Sequence, residues 1–198
     1  MIRPILFNTE MVQAILDNRK TATRRVLRHP FEIHPNGWIT RPKGNERLCP
    51  YEPPYQPGDI LYVRETWTND KLIFGDGVVS AYRYKTDGEE FLNANGEYID
   101  VLWHPSIHMP KEAARIFLKV TDIRVERLQE MTASESSKEG IRLPKEYDTK
   151  ERAYILGFAD LWDSTIKKSD FDLYGWDANP WVWVIEFERC EKPEGWCV

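Results

Sequence analysis

Ile116-Phe117-Leu118-Lys119-Val120-Thr121-Asp122-Ile123-Arg124-Val125 carries the alternation on which the fold class turns. Ile116, Leu118 and Val120 recur at every second residue, the period of a strand with one buried face, and Ile123 and Val125 resume it after a slip of one residue. A β-bulge near Thr121-Asp122 accounts for the slip. Downstream, Trp181-Val182-Trp183-Val184-Ile185-Glu186-Phe187 follows Asn179-Pro180 and reads as a buried closing strand, because aromatic and β-branched side chains pack well on a pleated surface. Upstream, Pro57-Gly58-Asp59 is a turn signal, and Ile60-Leu61-Tyr62-Val63-Arg64 is too short for a free-standing helix and rich in strand formers.

Helical periods are fewer. Thr9 caps a first helix with Glu10 in its first turn and Met11, Ile15 and Leu16 on one face, ending near Asp17 or Asn18. Thr132 and Glu135 form a capping box, Gly140 supplies a left-handed stop, and Glu139 falls at the C-terminal end of that short helix. Tyr154, Phe158, Leu161 and Trp162 repeat at helical spacing and predict a longer helix from about Thr149 to Ser164. Few helices and no regular βαβ alternation predict an α+β domain around a mostly antiparallel sheet or small barrel, and disfavour a Rossmann or flavodoxin-like fold. One domain over 1–198 is expected. The Pro- and Gly-rich sequence at about 30–57 reads as a long loop insertion, and 68–110 as hairpin and loop excursions that include a strand at Val79 to Lys85.

Composition narrows the function classes. The net charge of −5 argues against a protein that coats nucleic acid with a broad basic surface, so any such contact is local. No run approaches 18 apolar residues and the start, Met1 to Phe7, lacks an adequate signal-peptide core, so the reading is cytoplasmic with no membrane partner. Cys49, Cys190 and Cys197 include no CxxC, which supports free thiols rather than a disulfide framework or zinc ribbon. His104 and His108 are separated by Pro105, followed by Pro110, and lack a completing ligand, so no metal site is expected. No phosphate-cradling glycine loop, serine elbow or dinucleotide fingerprint occurs, and no cofactor is expected.

Against this acidic balance stands Asn18-Arg19-Lys20-Thr21-Ala22-Thr23-Arg24-Arg25, continued by Arg28: five cations with no acid among them. One reading is a solvated helix end, where Arg19 and Lys20 complement the helix dipole. The other is an oxyanion or nucleotide site, in which arginine forks and the Thr21 and Thr23 hydroxyls bind oxygens. Clustered cations disfavour one another's charged forms, so Lys20 can act as a base beside a threonine hydroxyl, a couple sufficient to attack an amide or acyl carbon.

The same stretch resembles the GxKxxxxR signature of the ASCH domain, a branch of the PUA-like superfamily, with Asn18 at the glycine position. Asn tolerates a left-handed backbone better than most residues, so the helix stop survives the replacement. Pro57-Gly58-Asp59, the Leu128 to Ile141 segment with Glu139-Gly140, and Val184-Ile185-Glu186-Phe187 agree in order with that family. Tyr62-Val63-Arg64-Glu65-Thr66-Trp67, Trp103 to Pro110 and Asn179-Pro180-Trp181 look like the longer ASCH proteins of phages and prophages.

The resemblance implies a PUA-like β-barrel with flanking helices and a cleft for RNA, single-stranded nucleic acid or a modified nucleoside. One small bacterial ASCH family hydrolyses N4-acetylcytidine to cytidine and acetate with a lysine, a threonine and a glutamate. These match Lys20 as base, Thr23 as nucleophile and Glu139 as the acid for the departing amine. Arg19, Thr21, Arg24, Arg25, Arg64, Glu65 and Trp67 are the ligand-binding candidates, with Trp67, Trp103 and Tyr82 available to stack a base. Two alternatives stay open: a binding module without chemistry, and a ribonuclease in which Lys20 and Arg25 stabilise a phosphorane by charge.

Overall fold

The structure is a computed structural model that describes residues 1–43, 47–69, 71–74, 77–80, 82–88, 101–142 and 150–196. The chain opens with β1 (Ile2–Leu6) and α1 (Thr9–Leu16). The cap of α1 is Asn8 rather than Thr9: Asn8 keeps an extended backbone, and its Oδ1 accepts from the Met11 amide at 2.8 Å, while Thr9 is already helical. The buried face is Val12, Ala14 and Ile15; Met11 and Leu16 sit at its edges, half-buried. Asn18 then adopts φ 57°, with its amide on Ile15 O at 3.0 Å and the Arg19 amide on Ala14 O at 2.8 Å. That pair of bonds is a Schellman stop made by Asn in place of Gly.

The basic stretch does not continue as a helix end but becomes β2 (Ala22–Val26). The expected loop over 30–57 contains β3 (Glu32–Ile33), β4 (Ile39–Lys43) and β5 (Arg47–Pro50) in a three-stranded antiparallel sheet. Gly37, at φ 82°, closes the β3–β4 hairpin, where the His34 amide donates to Trp38 O at 2.8 Å. Beyond the Pro57-Gly58-Asp59 turn run β6 (Ile60–Arg64), β7 (Trp67–Thr68), β8 (Lys71–Phe74), β9 (Gly77–Ser80) and β10 (Arg83–Tyr84). The strand expected from Val79 to Lys85 is divided between β9 and β10, and part of the 68–110 excursion lies outside the described residues.

The stretch quoted first is β11 (Phe117–Arg127), and Thr121 and Asp122 are exposed in succession where the alternation slips. After it come α2 (Ala133–Lys138), α3 (Lys150–Thr165), α4 (Phe171–Tyr174) and β12 (Trp181–Cys190). The result is a mixed α+β chain whose pairing is mostly antiparallel, and among the described residues no helix is long and apolar enough to cross a membrane. Cys190 is a free thiol, and Cys197 lies outside the described residues.

These residues gather into two compact units, each discontinuous in sequence. The first comprises Met1–Lys20, Asp59–Lys119 and Glu188–Val198. Here β1 runs parallel to β6, with Ile2 opposite Ile60, and β6 pairs antiparallel with the start of β11, Phe117 opposite Tyr62. Its core includes Tyr62, Trp67, Met109, Phe117 and Trp196, with the Trp196 ring edge-on to Tyr62 and Phe117 at about 5 Å. The second comprises Thr21–Gly58 and Val120–Phe187. In it β2 pairs antiparallel with β12, Thr23 opposite Ile185, and α3 contributes Phe158 and Trp162 to a core with Leu128, Met131, Val182 and Val184.

Candidate functional site

In the second unit, successive residues of β2 turn to opposite faces, yet Thr23 and Arg24 are both buried, at 2% and 3% exposure. A buried guanidinium is tolerable only when paired and hydrogen-bonded. Arg24 meets that condition: its Nη1 donates to Glu139 Oε1 at 3.2 Å, its Nη2 pairs with Glu126, and Glu135 lies 3.9 Å away. Its Nε has no hydrogen-bond partner.

Arg124 of β11 extends the same cluster, reaching Glu135 at 2.6 Å, Glu186 at 2.7 Å, Glu126 at 3.2 Å and Asp122 at 3.3 Å. Lys138 adds a contact to Glu186 at 3.4 Å. Burial works against the Arg124 charge, but the hydrogen bonds and carboxylates around it prevail and hold its pKa above the usual value. Burial likewise pushes the Glu135 carboxyl up, yet the Thr132 amide and hydroxyl and the two arginines outweigh it, and the net displacement is downward. Glu186 follows the same pattern through Arg124 and Lys138.

Glu139 is the C-cap residue of α2 and only 3% exposed. Its position follows from the signals around it: the Thr132–Glu135 capping box starts the helix, and Gly140, at φ 88°, ends it. The Thr21 amide donates to Lys138 O at 2.8 Å, so the start of β2 is tied to the end of α2, although Thr21 itself is exposed. Arg25 is half-buried; burial lowers its pKa, and the nearby Tyr55 and Glu139 offset only part of that. Of the sequence candidates, this unit therefore joins Arg24 to Glu139 directly.

The first unit holds the others. Lys20 is 2% exposed, with Nζ 5.6 Å from the Phe7 ring centroid. Arg19 grips Asp17 through Nε and Nη2 at 3.2 and 3.0 Å. Arg64 donates to Ile107 O at 3.2 Å and lies over Tyr62. Glu65 is fully buried and accepts a bidentate fork from Arg115 at 2.9 and 3.0 Å, together with the Thr86 hydroxyl at 3.0 Å. Trp67 is a core residue, edge-on to the Tyr82 ring at 5.7 Å and bridged through its backbone to His104. Arg64, Glu65 and Trp67 thus have structural partners here. Arg115, which also pairs with Asp87, was not singled out from sequence; its one signal was a lone cation in the apolar run Ala113 to Leu118. Trp103 is half-buried, and no set of three metal-ligating side chains occurs among the described residues.

One further feature of the second unit had no sequence signal. Trp38, Ile39, Tyr51, Pro53, Arg124 and Trp183 are among the walls of an open groove of about 420 Å³. Trp38 is 63% exposed, and the Tyr51 and Trp183 ring centroids stand 6.2 Å apart, tilted by 38°. The Arg41 guanidinium sits 5.1 Å over the Tyr51 ring. Compared with protein-family models, curated proteins and solved structures, the chain finds no match.

Proposed function

We propose that the chain is an ASCH-type protein of the PUA-like superfamily, a small β-barrel with flanking helices, that deacetylates N4-acetylcytidine-like nucleosides through Lys20, Thr23 and Glu139. The observation that carries this reading is burial: the three residues to which the resemblance points are 2%, 2% and 3% exposed. Lys and Glu are almost never buried this far unless paired, and Glu139 has its pair in Arg24, so the burial favours a built site over a solvated basic face. The left-handed Asn18 supports it as well, since it performs the stop that the signature assigns to glycine.

In this reading Thr23 is the nucleophile, its Oγ attacking the acetyl carbon, and Lys20 keeps the role of base that the resemblance gives it. The C–N bond then breaks, the proton released by the Thr23 hydroxyl is delivered through Glu139 to the leaving N4 amine, and cytidine departs. Arg24, 3.2 Å from Glu139 Oε1, steadies the carboxylate left behind. Water hydrolyses the acetyl-threonine ester, one of its protons restoring the Thr23 hydroxyl and the other leaving with acetate.

Incubation of purified protein with N4-acetylcytidine, followed by chromatography, is expected to show cytidine and acetate. Lys20→Ala and Thr23→Ala are each expected to reduce the rate by roughly 100-fold or more, with unchanged circular dichroism. Absence of product at high protein concentration ends the proposal. Salt-sensitive retention of intact RNA in its place identifies a binding module, and cleaved RNA a ribonuclease.

A further inference from the structure

Glu126 of β11 lies outside the basic stretch and has no direct part in the proposed hydrolysis, yet only one side chain separates it from Glu139. It is half-buried, and each of its oxygens meets a different guanidinium: Oε1 accepts from Arg24 Nη2, and Oε2 accepts from Arg124 Nε at 3.2 Å. Arg24, whose side chain is fully buried, is divided in turn, with Nη2 on Glu126 and Nη1 on Glu139 Oε1 at 3.2 Å. One buried cation therefore serves two carboxylates. Glu135 is no equal third at 3.9 Å, because its oxygens accept from the Thr132 amide at 2.8 Å and from Arg124 at 2.6 Å.

The division bears on what Glu139 can do. A carboxylate held by a whole guanidinium away from water is strongly favoured in its charged form and takes up a proton reluctantly. In the proposed reaction Glu139 has to accept the Thr23 proton and pass it to the departing amine, and such a carrier works best when neither of its two forms is held too firmly. A second carboxylate on the same arginine loosens the hold. Also near Glu139 are Arg25 of β2, itself close to Tyr55, and Lys138, the preceding residue of α2, which reaches Glu186 at 3.4 Å. From α3 comes the Phe158 ring, 5.8 Å from the Arg24 guanidinium. Of these neighbours, Glu126 is the one that reaches Glu139 through a shared cation.

We infer that Glu126 is a positioning residue for Glu139: through Arg24, which the two carboxylates share, it holds the guanidinium in place and limits its grip, so that Glu139 can take up and release the proton of the reaction. The inference rests on the hydrolase reading for its chemistry, whereas the sharing of Arg24 is open to test without it.

The first test is the pH profile of kcat with N4-acetylcytidine for the full chain, Glu126→Asp and Glu126→Gln. Gln keeps an oxygen for Arg24 and removes the charge, so the whole guanidinium falls to Glu139, whose carboxylate then persists to lower pH. The acid limb is expected to move down by roughly half a pH unit and kcat on the plateau to fall about tenfold, with KM unchanged. Asp, charged but one methylene shorter, is expected between the parent and Gln, and it carries the comparison if Glu126→Gln does not fold by circular dichroism. An acid limb that stays at the parent's pH in both variants overturns the inference. The second test needs no substrate and compares the urea midpoints of Glu126→Gln, Glu139→Gln and the double variant. Either carboxylate alone still pairs with Arg24, so the double variant is expected to lose more than the two single losses together. Additive losses overturn the inference. If N4-acetylcytidine is not hydrolysed but the losses exceed additivity, the hydrolase reading fails alone.

Discussion

Arg24 and Asn18 show how differently two residues of one basic stretch can be read. Asn18 was legible because its role is local: a helix of eight residues must stop, and Asn is the non-glycine residue best suited to the left-handed turn it makes at φ 57°. Arg24 reads in sequence as an anion-binding fork, yet its charge is taken up by Glu126 and Glu139, which are 102 and 115 residues away along the chain. No local pattern could have named those partners. Arg24→Met is expected to leave the 3%-exposed Glu139 without its cation and to cost about 3 to 5 kcal/mol in urea unfolding. A loss under about 1 kcal/mol would mean that the pair carries little of the stability assigned to buried ion pairs.

At the scale of elements, α2 was legible in full and β2 to β5 were not. A capping box and a following Gly define a short helix within eight or nine residues, and the structure reproduces the cap, the stop and the place of Glu139. The polar strand β2 offers no apolar alternation, because Arg24 is buried by pairing with carboxylates rather than by hydrophobicity. Of the residues from β3 to β5 that look like loop signals, Gly37 turns the β3–β4 hairpin, whereas Pro42 and Pro50 lie within the paired strands β4 and β5. The Glu135 carboxylate joins the cap of α2 to the arginine cluster and carries a pH signature. Its folded pKa and that of Glu186 lie below the ordinary 4.5, so the stability they contribute is complete above that value and is lost as pH falls through the lower folded values. Urea midpoints between pH 6 and pH 3 are expected to fall on the acid side. Glu135→Gln should lower the midpoint at pH 6 and make that fall shallower; a parallel curve would remove Glu135 from the acid response.

Across the whole molecule, the chain passes between its two compact units four times, at Lys20/Thr21, Gly58/Asp59, Lys119/Val120 and Phe187/Glu188. Two of these passages fall inside continuous strands, β11 and β12. Loss of order in either unit therefore frees the ends of strands that belong to the other. Unfolding in urea is expected to be a single transition, with coincident midpoints by far-ultraviolet circular dichroism and by fluorescence of tryptophans such as Trp196 and Trp162, one from each core. Separate midpoints would show that the units unfold independently. The period of β11, the capping box of α2, the left-handed stop and the α+β class could all be read along the chain, because each depends on neighbours within a few residues. The partition into two units, the carboxylate partners of Arg24 and Arg115, and the meeting of Trp38, Tyr51 and Trp183 depend on contacts between distant segments, which folding alone brings together.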